Sequence, residues 1–355
     1  MLGWMDGMRR WVHSTALRQG AAPDAQAPVA LSFRSHPVRA TLALLSRSRA
    51  GFAAALVAGF LLLYFGLGGI LASTIDDNLA FRPSAADLPP GGSVAVAMAS
   101  AILDREVNEH GWAPDDPWFY PSALADNMPA WQSGIRMGAL RFTTALLARQ
   151  PQDPDLLKAN EALEVRPDRW WIGPGWPWLR ATSASTYDDA VDAIRAYNAR
   201  VAKDGTLLTR DAATLSVLLD DLARALGEAG DRLALHLEGG AAGGDGQRLG
   251  NDEIFYAMRG QAYVTSLILN GLREDFGPLI RQRQLAARWA SMARSLEQVV
   301  DLNPLVVTAG RPGSFLIKNH LMEQGFALQR TEEQLRALAA ELRRAPVPPA
   351  ATPRR

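Results

Sequence analysis

From Ala50 to Ile75 the chain carries no charged residue, and the run is apolar on every side: Phe52, Leu56, Val57, Phe60, Leu61, Leu62, Leu63, Tyr64, Phe65, Leu67, Ile70 and Leu71 leave no polar stripe. A helix packed on a soluble core keeps a water-facing polar side, so this pattern predicts a transmembrane helix over residues 50–75. At 1.5 Å per residue, about 26 residues make roughly 39 Å of helix against about 30 Å of hydrocarbon, enough to span once with tilt or frayed ends. Beyond it the periodicity is helical for most of the length. The pattern predicts helices over Val94–Glu109, Trp131–Arg149, Asp153–Glu164, Tyr187–Val201 with Thr186 as N-cap, Thr209–Ala229, Asp252–Asp275, Pro278–Leu302 and Ser314–Arg344. Tyr187–Val201 and Thr209–Ala229, joined by a turn at Asp204 and Gly205, read as an antiparallel pair, and Gly277 reads as the hinge between the next two long helices. Leu285, Trp289, Met292, Leu296 and Val299 alternate steps of four and three, the spacing of a stripe buried in a bundle.

The predicted fold class is therefore all-α: a single N-terminal transmembrane helix followed by an all-helical extracytoplasmic bundle with Trp/Pro-rich ordered loops. Residues 1–49 read as a cytoplasmic segment, 50–75 as the span, 76–92 as a linker rich in proline and glycine, 93–344 as the helical domain and 345–355 as a proline-rich disordered tail. Within residues 1–49, Trp4, Met8 and Trp11 recur at helical spacing beside Arg9 and Arg10, as an interfacial segment would; the Ala/Gln/Pro-rich stretch Gly20–Pro28 favours disorder. The run Gly239–Gly250 lacks the preceding strand and the lysine of a phosphate cradle and reads as a flexible loop.

Charge orients the span. Arg34, Arg39, Arg47 and Arg49 precede it and Asp76 and Asp77 follow, which predicts the N-terminus on the cytoplasmic side and the main domain on the outer side of the membrane. The run begins too late and extends too far for a cleaved signal peptide. Balanced charge, 37 basic against 37 acidic residues, supplies no basic domain for a nucleic-acid partner. The absence of cysteine removes thiol chemistry and disulfides, yet a body from about Ser93 onward is large enough to fold alone without them.

Seven of the ten tryptophans crowd between Gly111 and Leu179. The phrases HGWAPDDPWFYPSALADNMPAWQSGIRMG (His110–Gly138) and RPDRWWIGPGWPWLRATSAS (Arg166–Ser185) hold too many prolines and glycines for regular helix. They read as ordered loops held by large rings, the kind of loop on which binding surfaces are placed. These two phrases, the single span with its basic inner flank and the later NDEIFYAMRGQAYV resemble the uncharacterised bacterial DUF2333 family of inner-membrane proteins over about residues 50–342. The resemblance implies an anchored topology and a helical body and transfers no activity or catalytic residue. Family members begin close to the span, which under the resemblance makes Met1–Arg49 an extension or the product of a misplaced start codon.

Candidate binding residues are Trp118, Tyr120, Trp131, Arg136, Trp176 and Trp178, ring faces with charged neighbours of the sort a glycan groove uses. The competing reading is that the rings fill a second small core, with Trp171 buried and Trp176 or Trp178 at the surface. A third reading, Trp176 to Trp178 against lipid headgroups, is disfavoured by the distance of that phrase along the chain from the anchor. Only a weak acid pair, Asp116 and Asp126, presents itself for catalysis; no serine-nucleophile motif, zinc spacing or cofactor motif is found, and His110 reads as a helix C-terminal histidine. Ala55 with Gly59, and Gly68 with Ala72, carry the small-residue spacing that lets helices dimerise in lipid. The expected function is a membrane-anchored periplasmic binding or scaffold protein, holding an envelope protein or cell-wall glycan near the bilayer. The alternative is a peptidoglycan-active hydrolase using carboxylates in the Trp-rich loops.

Overall fold

The computed structural model describes residues 49–124, 127–173, 178–239, 250–304, 307–308 and 319–344. The chain divides into two compact units, Met1–Ala58 and Gly59–Arg355; of the first, the described residues are the opening turns of one helix. The readings made for residues 1–48, for the loop 240–249, for the start of the last helix at Ser314 and for the tail 345–355 lie outside the described residues.

The described helices are α1 (Arg49–Ala72), α2 (Val94–Asp104), α3 (Asn127–Arg149), α4 (Pro154–Glu164), α5 (Ser183–Lys203), α6 (Ala212–Leu237), α7 (Asn251–Asp275), α8 (Gly277–Gln282), α9 (Ala286–Asp301) and α10 (His320–Arg343). Among the described residues there is no strand, only one bridge between Ile172 and Leu179, so the fold is all-α. Helix α1 is long and apolar enough to cross a membrane, and none of its apolar window is buried. It stops where Ser73 Oγ (2.9 Å) and Thr74 Oγ1 (3.3 Å) donate to the Ile70 carbonyl, satisfying an acceptor that the ended helix leaves open.

Helix α2 is the centre of the bundle. Every residue from Ala95 to Leu103 is buried, consistent with a segment apolar all round. Its N-terminus is capped twice: Ser93 Oγ accepts from Val96 N, and the Asp275 carboxylate, at the end of α7, accepts from Val94 N (2.8 Å), Ala95 N (3.1 Å) and Ser93 Oγ (2.6 Å). Helix α3 lies along α7, and their backbones touch. A Cβ on Gly134 would run into the Ala257 carbonyl, and one on Gly260 into the Trp131 carbonyl. Glycine is what lets the two helices approach this closely. The stripe predicted from Leu285 to Val299 is buried, and so are Leu215, Leu218, Leu222 and Leu226 of α6.

Three expectations are corrected. The cap of α5 is Thr182, whose Oγ1 accepts from Ser185 N, because Ala184 N is already taken by Asp115 from another loop; Thr186 sits inside the helix and donates to the Thr182 carbonyl. Helices α5 and α6 are not a packed pair: α5 lies on α4 and α2, and α6 on α10 and α3. The helix expected over Pro278–Leu302 is broken between α8 and α9. There Leu285 N donates to the Ile280 carbonyl and Gln284 N to the Arg281 carbonyl, with Gln284 at φ 55°, a Schellman stop built without the usual glycine.

The close α3–α7 crossing makes a contrast testable. Gly260→Ala should destabilise by about 1–3 kcal/mol through overpacking, whereas Gly230→Ala on α6, where a Cβ meets open space, should stabilise by about 0.5–1 kcal/mol. Chemical denaturation of the detergent-solubilised chain reads both.

Candidate functional site

Between α2 and the aromatic loops the helix widens to a π turn, Arg105–Glu109, in which His110 N donates to the Arg105 carbonyl at 2.9 Å. The Glu106 carbonyl, released from helical bonding, is taken by Gln132 Nε2 of α3 at 3.3 Å. This turn brings an arginine and a glutamate into an otherwise apolar interior. Arg105 donates through Nε (3.1 Å) and Nη2 (2.8 Å) to the fully buried Glu106 carboxylate. It also donates to Asp76 Oδ2 (2.9 Å), the Asp76 carbonyl (2.8 Å) and the Tyr263 hydroxyl (3.2 Å). The guanidinium lies over the rings of Phe81 (5.1 Å) and Tyr263 (5.5 Å). Burial works against its charge, but Glu106, Tyr263 and Asp76 outweigh that and hold Arg105 above its ordinary pKa. The Tyr263 hydroxyl, pushed up to about 12 by burial, donates to the Asn78 carbonyl at 3.0 Å.

The next residue repeats the device. Arg259 of α7, only 2% exposed, pairs with Asp77, donates to the Val300 carbonyl at 2.7 Å and lies 5.5 Å from the centre of the Trp131 ring. Arg195 of α5 binds Asp87 and Asp104. Asp76, Asp77 and Asp87, all in the stretch between α1 and α2, thus each meet an arginine of the bundle, and Ile75, Leu79 and Phe81 pack on the core. The segment read as a linker is strapped down along its length.

The two aromatic loops converge in space. Trp112 Nε1 donates to the Pro167 carbonyl (2.9 Å) and its ring meets Tyr187 edge-on at 4.9 Å, while Tyr187 donates to the Val165 carbonyl. Asp115 Oδ2 accepts from Ala184 N (2.9 Å), tying the first loop to the start of α5; burial raises the Asp115 pKa. On this base stands a chain of rings. Trp118, Phe119, Tyr120, Trp170 and Trp171 follow one another at centroid distances of 5.6, 5.5, 6.5 and 5.4 Å for the pairs 118–119, 119–120, 119–170 and 170–171. The second loop folds back on itself at Ile172 and Leu179, with Gly173 N donating to the Trp178 carbonyl and Arg180 N to that of Trp171.

Of the residues read as a binding face, Trp118 is 83% exposed, and Tyr120 and Trp178 are exposed as well. Trp131 is fully buried and Arg136 nearly so, which removes both from any surface: they sit on the face of α3 turned to the core, where Arg136 donates to the Leu163 carbonyl and burial lowers its pKa. Trp176 and Asp126 lie outside the described residues. Asp116 is half-buried and accepts from Ser122 Oγ; burial raises its pKa against that hydrogen bond. Trp171, expected in a small core, is exposed, because the fold-back turns it outward, while Trp112 is the ring that fills the space between the loops. Among the described residues no group of three metal-ligating side chains forms a candidate site. The clamp around Arg105 was missed in the sequence, although one signal was present: an adjacent Arg–Glu pair continuing a helix that has no polar face.

Compared with known proteins, the chain matches no family model, no curated protein and no solved structure.

His110 ends the π turn with Nδ1 3.4 Å from Glu106, and that hydrogen bond raises its pKa above the ordinary 6.5. A raised imidazole pKa stabilises the fold fully below the unfolded value and loses the gain as pH rises through the folded one. The stability difference between the natural chain and His110→Gln should therefore be largest below about pH 6 and vanish at higher pH, as denaturant midpoints across a pH series would record. A chain beginning at Ser93 should also be less stable than one beginning at Ile75. Each lost aspartate contact should cost between the about 0–1 kcal/mol of an exposed pair and the about 3–5 kcal/mol of a buried one, since Asp76 and Asp77 are themselves half-exposed.

Proposed function

We propose that this chain is a membrane-anchored helical binding or scaffold protein of a bacterial cell envelope, with a cytoplasmic N-terminus and its helical body on the periplasmic face of the inner membrane. Membership of the DUF2333 family is part of the same proposal. The observation that carries it is the continuity from α1 into the clamp: a helix apolar on all sides is followed within five residues by aspartates locked to Arg105 and Arg259. Such a joint ties the residues that leave the helix directly to the bundle. A tethered enzyme with a flexible leash does not need it; a part that presents a face to a neighbour does. The arginines before the span and the aspartates after it support the orientation. For a hydrolase, Asp116 is engaged by Ser122 and Asp115 caps a helix, so neither is presented as a free acid.

A reporter enzyme that matures only in the periplasm, fused after Arg344 in the full chain, should be active, and a cytoplasm-only reporter at the same position silent. The opposite result would reverse the topology.

A further inference from the structure

The loop that carries the exposed rings Trp118, Phe119 and Tyr120 meets the last turns of α1 at Pro121. A Cβ on Gly68 would stand 2.8 Å from both Pro121 Cβ and Cγ, and one on Gly69 3.6 Å from the Pro121 carbonyl, so the prolyl residue ending the Trp118–Phe119–Tyr120 run is seated on the apolar helix. The same contact occupies the face of Gly68 that the Gly68/Ala72 spacing offered to a second helix; Gly59 has nothing within 4 Å.

Depth follows from counting. Taking Arg49 as held at the inner boundary by its charge, Gly68 is the twentieth residue of α1, and about 20 residues at 1.5 Å use up the roughly 30 Å of hydrocarbon. Gly68 then stands at the outer edge of the hydrocarbon, and the remaining helix to Ala72 crosses the headgroup layer, about 5–7 Å deep on each side. Pro121 shares that depth. The ring chain attached to it ends in Trp118, the most exposed large apolar side chain of the described residues, and continues through Phe119 to Trp170 and the Ile172/Leu179 fold-back. Contiguous exposed rings are unusual on a surface that faces only water, and tryptophan and tyrosine, apolar bodies with one polar atom, suit the headgroup boundary.

We infer that residues 117–121, 170–173 and 178–179 form a second membrane contact, a ring-bearing face immersed in the outer headgroup layer of the bilayer that α1 spans. The occupant of this face is lipid, because it is continuous with the lipid-facing helix. This inference rests on the anchored reading and adds that the body lies down on the membrane. The distance of these loops along the chain from the anchor does not argue against it: Trp112 with Pro167 and Pro121 with Gly68 close that distance in space.

The cysteine-free chain permits a direct test. Trp118→Cys, Tyr120→Cys and Trp178→Cys, each carrying an environment-sensitive fluorophore, are compared in the full chain with Leu62→Cys, exposed within α1, and Thr206→Cys, in the turn at the far end of α5. Each is reconstituted into phosphatidylethanolamine/phosphatidylglycerol vesicles bearing nitroxide either at the headgroup or deep in the acyl chain. Labels at 118, 120 and 178 should lose emission mainly to the headgroup nitroxide, the label at 62 mainly to the deep one, and the label at 206 to neither. If 62 is quenched while 118, 120 and 178 behave like 206, the anchor stands and this inference falls, leaving the rings to a protein or glycan partner. If 62 is also unquenched, the anchored reading fails and the inference with it. Circular dichroism of each labelled chain confirms that the fold is kept, and three independent ring positions guard against one substitution disturbing its loop.

Discussion

A buried guanidinium has to be partnered, and much of this architecture follows from satisfying Arg105 and Arg259. Moving a charge out of water costs several kcal/mol, which is recovered only when the partner is close and the remaining donors are filled. Arg105 meets that condition with Glu106, Asp76, Tyr263 and two aromatic faces. Glu106 in turn is shared with Gln132 and His110. Such a network adds less net stability than an apolar core of the same volume would, but it is intolerant of misplacement. Its effect is to specify where the chain leaving α1 must run.

That explains the π turn. One additional residue in the turn frees the Glu106 carbonyl for Gln132, and the same Gln132 accepts from Ala113 N and donates to the Gly111 carbonyl. A single side chain of α3 thus joins the charge clamp to the first residues of the aromatic loop. From Asp76 through Arg105, Glu106 and Gln132 to Gly111 and Ala113 there is a continuous path of polar contacts, each fixed by its neighbour. Single widened turns of this kind are rare in helices and lie frequently at functional sites.

The helical content, the central α2 and the buried stripes of α6 and α9 were legible because each rests on a local period of apolar positions. What was not legible depends on pairs far apart in the chain. Asp76 with Arg105, Asp77 with Arg259 and Asp87 with Arg195 leave no trace in a periodicity, so residues 76–92, judged by their prolines and glycines, looked free. The α5 cap was misplaced for the same reason, since Asp115 from a distant loop decides which amide is left open. The stop at Gln284 was missed because its usual marker, a glycine in the left-handed position, is absent. Of the candidate site, the aromatic density was visible, while the division of its rings between interior and surface was not.

That division is physical. Trp131 lies on a helix whose face turns to the core, and Trp112 is drawn inward because its indole N–H finds the Pro167 carbonyl. Trp118, Trp171 and Trp178 lie on backbone that has its own internal or cross-loop support, so they are not needed to hold it. Rings that touch mainly one another and stay largely in solvent, yet are held outward by a base built of buried polar contacts, cost solubility while adding little stability. The loops hold those rings out, and the first of them meets the apolar helix α1 at Pro121.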